Sequence, residues 1–369
     1  MDYLRRAWAE IDLEAIAKNY DAICQIAKTQ VIPVVKADAY GHGAIKVAQV
    51  LNEKSVDLFA VSTLDEAIQL RFAGISCDIL ILGYTPVCYA RELSENNVIQ
   101  TVFSAEYALQ LNESAKKEKV KIKTHIKLDT GMGRIGFNCK NELDDVTSAL
   151  RLTNLENQGI FTHFSSSSSQ IKEDLDYTQE QYTCFCNAIS TLENQGFSFK
   201  IKHCCNSGAI LTNHKMNMDG VRAGIIIYGV SPSKDIPLPQ ELTPAMSFYS
   251  VVSMVKEVPN GSFLSYDRSY KTEKTMKIAT VSAGYSDGIP RLLSHNGTVL
   301  INGKRANIVG KICMDQFLID VTHIDFVKVG DVVTIFGREL SVHEVADNAQ
   351  TVGYEILCGI SKRVPRIYK

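Results

Sequence analysis

Apolar residues in the first 230 positions switch repeatedly between two periods. Leu13, Ile16, Ala17, Tyr20, Ile23, Cys24 and Ala27 recur at helical spacing, with Asp12 placed to cap them. VIPVVK (31–36) is short, β-branched and nearly continuous in apolar residues, as befits a strand of a buried parallel sheet. DLFAVS (57–62) follows, then a helix opened by the capping box Thr63…Glu66. DILILG (78–83) precedes a segment beginning near Pro86, and VIQTVF (98–103) precedes a helix capped by Ser104. KIKTHIKL (121–128), NQGIFTHF (157–164), FKIKHCCN (199–206) and GVRAGIIIYG (220–229) complete the series, with helical segments between them. Eight such strands, most followed by a helix, fit a (β/α)8 barrel; a doubly wound sheet usually has fewer strands.

The texture changes at SPSKDIPLPQELTP (231–244), which holds four of the nine prolines and reads as a linker. Short β-rich runs lie beyond it: FYSVVSMVKEV, MKIATVSAG, GTVLING, RANIVG, FLIDV and DVVTIFG. The expected fold class is therefore α/β plus all-β, with an N-terminal (β/α)8 barrel over 1–235 and a C-terminal β-strand-rich domain over 236–369. The first ~10 residues are candidates for packing with the β domain.

Composition narrows the function. Of 369 residues, 45% are hydrophobic and 22% charged, which excludes a disordered or fibrous chain. A net charge of -2 leaves no electrostatic footprint for nucleic acid. No apolar run approaches the ~18 residues that span a bilayer, and MDYLRRAWAEIDLEA lacks an apolar leader. The ten cysteines show no C-x-x-C spacing, and no histidine cluster completes a zinc site, so no metal is expected. Scattered cysteines in a long chain read as reduced thiols of a cytoplasmic protein.

Several stretches carry chemistry. PVVKADAYGHG (33–43) puts Lys36 at the end of a buried strand, where barrels place active sites and where a desolvated lysine becomes a nucleophile or base. Taken alone, such a lysine usually points to solvent. GMGRIG (131–136) matches G-x-G-x-x-G but opens no helix, so a dinucleotide loop is rejected. HCCNSGA (203–209) and GVRAGIIIYG follow and form the last two strands, where barrels commonly bind phosphate; Ser207, Gly224 and Ile225 are the natural donors. LSYDRSY, AGYSDGIPR and GKICMDQ are polar turns of the β domain, each by itself an ordinary surface loop.

Together, VVKADAYGHG, KLDTGMGRIGF, VRAGIIIYG, SYDRSY, GYSDGIPR, CMDQ and GYEILCGISKRVPRIY resemble the alanine racemase family, in order and from RAWAEIDLEAI to the C-terminus. The resemblance implies pyridoxal 5'-phosphate (PLP), a homodimer with shared active sites, and L/D-alanine interconversion that supplies D-alanine for peptidoglycan. It makes Lys36 the residue that holds PLP and one of two bases, with Tyr266 of the partner subunit opposite. Tyr40, Ser207, Gly224, Ile225 and Tyr354 would hold the phosphate, and Arg222 would face the pyridine nitrogen. His163 and His203 would join a hydrogen-bond chain supporting Tyr266 and Arg222. Arg134 would reach the ring oxygen and the substrate carboxylate, and Lys127 matches the often carbamylated lysine that positions it. Met314 would offer its N–H to the substrate carboxylate from the partner, while Asp315, Tyr285 and Tyr354 would line the access route. Asp38 departs from the commoner Asn, and the Ser run 165–169 and HCCNSG are atypical.

Two bases on opposite faces exchange the Cα proton without turning the substrate over. An arginine at the pyridine nitrogen keeps its own proton, and so weakens the electron sink and discourages transamination. A PLP barrel decarboxylase would pair that nitrogen with a carboxylate, against the VRAG motif. A non-catalytic PLP-binding module would lack residues 245–369 and Tyr266. The racemase domain of membrane-anchored serine racemases of vancomycin resistance shares the motif pattern, which leaves alanine and serine both open as substrates. Under that reading the chain would be a cytoplasmic domain of a membrane-anchored protein.

Overall fold

A computed structural model describes residues 6–369; the leader reading on the first residues lies partly outside them. The chain divides into two units, one built of 16–39 and 44–242, the other of residues up to Ala15 together with 40–43 and 243–369.

In the first unit eight strands pair in parallel: Gln30–Pro33, Leu58–Val61, Asp78–Ile81, Val98–Val102, Ile122–Asp129, Leu155–Phe161, Ile201–His203 and Gly220–Ala223. Gly220–Ala223 returns to Gln30–Pro33, and a parallel bridge from Val34 to Ala60 joins the remaining edges, so the sheet closes as a barrel. Strand interiors such as Leu58, Phe59, Ala60 and Val61 are fully buried, because helices cover a parallel barrel outside and side chains fill it inside. The capping box at Thr63 and Glu66 and the Ser104 cap both form.

Two strand expectations are corrected. VIPVVK is regular only through Pro33, since the chain turns left-handed after Lys36. GVRAGIIIYG is a strand only over Gly220–Ala223; Gly224 turns the chain and Ile225–Tyr228 is a buried 3-10 turn. Ties from two other elements hold that turn: Tyr228 donates to Val34 O (3.0 Å) and Asn19 to Ile227 O (2.9 Å). A β-branched run reads as strand locally, but tertiary hydrogen bonds decide otherwise.

In the second unit six antiparallel strands form a closed ring: Met246–Val258, Met276–Val281, Phe317–Asp320, Lys304–Val309, Thr298–Ile301 and Val332–Phe336. Asn302 and Gly303, at φ 50° and 70°, make the tight hairpin turn between two of them. Ala7–Ile11 adds antiparallel to Met246–Val258 and parallel to Arg366–Tyr368. No helix among the described residues is long and apolar enough to cross a membrane.

Candidate active site

Lys36 stands three residues beyond the first barrel strand, half-buried. The residues after it are unusual: Ala37, Asp38, Ala39 and Tyr40 all have φ of 52–53°. Left-handed turns cost L-residues roughly 1–2 kcal/mol each, so something must hold this one. Ala37 N–H donates to Glu66 Oε1 (2.7 Å), and Ala44 N–H donates to Asp38 Oδ1 (2.7 Å). Hydrogen bonds to charged groups contribute roughly 1.5–3 kcal/mol each, enough to offset most of the strain. Asp38 thus supplies the acceptor oxygen that an asparagine would, and its departure from the family pattern leaves the turn intact.

Arg222, 3% exposed, is the hub of the barrel interior. Its Nη1 donates to His203 Nδ1 (2.8 Å) and His203 O (3.2 Å). Its Nη2 donates to Thr162 O (2.8 Å), Cys204 O (2.9 Å) and His163 Nδ1 (3.2 Å). A guanidinium only donates, so both Nδ1 atoms must accept and each ring proton sits on Nε2. His203 Nε2–H then donates to His125 Nδ1 (3.2 Å). Burial first, and the Arg222 charge second, hold His163 and His203 well below the usual histidine range and His125 at about 3. All three rings are therefore neutral at pH 7. Burial also lowers Arg222 to about 10, against the opposing pull of Cys204, and it stays charged.

Phe161 is the platform beneath this cluster. Its ring stacks on His203 at 4.8 Å and lies 5.3 Å from the Arg222 guanidinium and 5.6 Å from Lys127 Nζ. Neither Phe161 nor His125 stood out in the sequence reading. A signal existed for His125: it sits two residues before Lys127 on one strand, hence on the same face. Gly159 makes room for it, since a Cβ there would lie 2.7 Å from the imidazole.

Lys127 is 4% exposed and is drawn down to about 7 by burial first, then by the charges of Arg134 and Arg222, with Lys36 adding to them. These four cations therefore share one neighbourhood at the strand ends. Arg134 is exposed on the glycine loop. Asp129 holds that loop by accepting N–H bonds from Gly131 (2.9 Å) and Gly133 (3.0 Å). Gly136, at φ 134°, passes so close that a Cβ would stand 2.6 Å from Asp129 N. The loop leads into the short strand Phe137–Asn138 and only later a helix, consistent with rejecting a dinucleotide loop. At the last strands, Ser207 Oγ accepts from Gly224 N–H (3.0 Å), leading directly to Ile225. The Ser run is more than a polar loop: Ser167 is buried and donates to Asn206 Oδ1 (2.7 Å), which caps the Ser207–Thr212 helix.

One cysteine expectation is corrected. Cys139 and Cys184 form a disulfide across 45 residues, while the other eight cysteines remain thiols. Packing of the glycine loop on a distant helix makes the pair, so no spacing rule could have shown it.

In the second unit, Tyr266 is 67% exposed on a turn where Ser265, Asp267 and Arg268 all have positive φ. Ser265 Oγ both donates to Lys311 O (2.8 Å) and accepts from Lys311 N–H (2.9 Å), pinning the turn. Tyr266, Met314 and Asp315 line one open cavity of about 640 Å³. Arg363 donates to Asp315 (2.6 Å), and that bond holds its carboxyl below the usual range. Tyr285, half-exposed, begins a turn anchored by buried Asp287, which pairs with Arg6 (2.6 Å) and Arg363 (2.8 Å). Tyr40 and Tyr354 lie with ring centroids 5.9 Å apart, and burial raises both phenols, so both keep their protons. Gly41 lets the backbone pass here, since a Cβ would meet Leu357 O at 2.3 Å.

Known proteins resemble this chain over its whole length. An alanine racemase of Clostridium perfringens strain SM101 is 46% identical, over 99% of this chain and 96% of that protein. The structure of an alanine racemase of Clostridium difficile 630 superposes with TM-score 0.93 at 38% identity, covering 100% and 97% of the two chains. The alanine racemase structure from Bacillus anthracis with bound L-Ala-P gives the same TM-score and identity, covering 100% and 96%. Residues 11–232 match the family model for the N-terminal domain of alanine racemase and residues 245–368 that for the C-terminal domain, and on these grounds the chain belongs to the alanine racemase family.

Proposed function

We propose that this chain interconverts L- and D-alanine using PLP, as a two-fold dimer in which Lys36 of one subunit and Tyr266 of the partner subunit flank the substrate Cα. The observation that carries the reading is the buried Arg222 hub, with Lys36, Lys127 and Arg134 gathered around it at the barrel strand ends. The D-alanine formed supplies peptidoglycan.

The donor set suits an anionic pyridine cofactor. Ser207 accepts from Gly224, and its own O–H remains to donate to a phosphate. The Ile225 N–H is a further donor, and the family resemblance adds Tyr40 and Tyr354, whose buried phenols keep their protons. The protein bonds of Arg222 all leave from its two Nη atoms, so Nε–H is the donor for a ring nitrogen. Bound there, PLP supplies the electron withdrawal that makes the Cα–H of an amino acid acidic.

The residues do the rest. Lys36 Nζ takes or returns the Cα proton on one face, and the phenol oxygen of Tyr266 of the partner subunit does so on the other. The neutral His163 and His203 leave Arg222 as the one charge of the hub, so its proton stays on the guanidinium. Arg134 binds the substrate carboxylate, joined by Met314 N–H from the partner. A lysine that deprotonates near pH 7 exposes a free amine. At Lys127 that amine adds carbon dioxide and releases a proton, and the carbamate pairs with Arg134. Asp315, Tyr285 and Tyr354 line the access route.

The test is chiral chromatography of L-alanine and L-serine incubated with the PLP-loaded protein. Racemisation is expected, with alanine the better substrate by kcat/KM. Carbon dioxide release from basic amino acids without racemisation would return the decarboxylase reading, and a higher kcat/KM on serine would overturn the substrate.

A further inference from the structure

The loop that carries Arg134 is gripped by one face of the helix Lys172–Asn194. Tyr177, Gln181 and Cys184 stand four and three residues apart on that helix, hence on one stripe. Tyr177 Oη donates to Gly131 O (2.8 Å), and Gln181 Nε2 donates to Thr130 Oγ1 (3.4 Å). Cys184 is bonded to Cys139, which follows the short strand beyond the loop and whose N–H donates to Asp129 O (3.1 Å). Two ties are neutral hydrogen bonds, weak in net terms, and the third is covalent. The loop they hold contains Gly131, Gly133 and Gly136, all at positive φ, so it is inherently mobile when released. Both cysteines border an open groove of about 480 Å³, shared with Lys140, Gln179, Glu180 and Thr183, that admits a small thiol.

We propose that Cys139–Cys184 is a redox modification site: a dithiol reductant opens it, and opening frees the Arg134 loop and weakens substrate binding. The effect on binding rests on Arg134 contacting the substrate carboxylate, as above. A thiolate of the reductant attacks one sulfur, breaking the S–S bond and forming a mixed disulfide. Its second thiolate displaces that bond and leaves as a cyclic disulfide. Two electrons pass to the protein, and the released cysteines end as protonated thiols.

The experiment compares the PLP-loaded protein before and after dithiothreitol, beside Cys184→Ser and the exposed-cysteine control Cys88→Ser. Alkylation of the denatured, air-oxidised protein should find eight thiols, rising to ten after reduction, with a Cys139–Cys184 cross-linked peptide in the map. Ten thiols throughout would overturn the site. Hydrogen exchange of the amides of residues 130–138 should speed up in the reduced protein and in Cys184→Ser, but not in Cys88→Ser. If the freed loop is competent about a third of the time, KM for alanine rises about threefold with kcat nearly unchanged. Unchanged exchange or an unchanged KM on confirmed reduction would overturn the clamp. The reduced wild type provides the open state even if Cys184→Ser fails to fold. Absence of racemisation in both states would overturn the functional reading instead, while thiol count and exchange still judge the clamp.

Discussion

Charge placement among a few buried groups decides the chemistry. Arg222 faces only acceptors, so it fixes the tautomers of His163 and His203 and, through His203, that of His125. Lys36 is the one site cation here proposed to hold PLP covalently. Lys36→Ala should therefore abolish racemisation and the absorbance of the lysine-bound cofactor, while the fold persists by circular dichroism. Full turnover in that variant would remove Lys36 from its role. Lys127 gives a stability test. Its folded value of about 7 lies below the ~10.4 of an exposed lysine. Between these values the unfolded chain binds more protons, so wild-type stability rises with pH across that window. Below it Lys127 is charged in both states, and its burial penalty is fully felt. In buffer free of carbon dioxide, Lys127→Met should raise Tm most near about pH 6 and least above about pH 10. A pH-independent gain would show that the amine is not desolvated.

Elements matter through the ties between them. The capping-box glutamate does two jobs: Glu66 Oε2 accepts from Ser62 and Thr63 N–H, while Oε1 accepts from Ala37 N–H, beside Lys36. The helix cap and the left-handed turn are thereby one structure. Thr63→Ala removes only the cap and should cost about 1 kcal/mol by urea denaturation, with kcat/KM nearly unchanged. Glu66→Ala removes all three contacts; it should destabilise by about 2 kcal/mol and also lower kcat/KM, because the turn holding Lys36 relaxes. Equal activity losses in the two variants would separate Glu66 from the site.

The two proposed bases stand in different units of the chain, Lys36 in the barrel and Tyr266 in the β domain. A closed two-fold dimer can offer each β domain to the other barrel, which makes the shared site testable by complementation. Lys36→Ala and Tyr266→Phe are mixed under conditions that exchange subunits. Random pairing makes about half the dimers mixed, and each mixed dimer has one intact site, so about a quarter of wild-type activity should return. If both bases came from one chain, every site would keep a lesion and nothing would return.

Much of the molecule was legible locally. Barrel strands announced themselves as short β-branched runs, the Thr63 cap as a spacing of three residues to Glu66 and the Ser104 cap as a serine before a helical run, because these signals act within a few positions of the chain. Lys36 and Ser207 stood out because strand ends are where a barrel puts its chemistry, whereas the roles of Lys127 and Arg222 came from the family resemblance. What stayed hidden depends on partners far away in sequence. His125 gains its meaning from His203, 78 residues on, and Phe161 from the two cations beside it. The IIIY run became a turn because Asn19 and Val34 bind it, and Cys139 found Cys184 because a loop packs on a helix. Periodicity and capping are properties of a segment, and so the sequence alone determined most of the elements and their order. Tautomers, a disulfide and a lysine drawn to about 7 arise only when separate segments exclude water together, and those the tertiary structure decided.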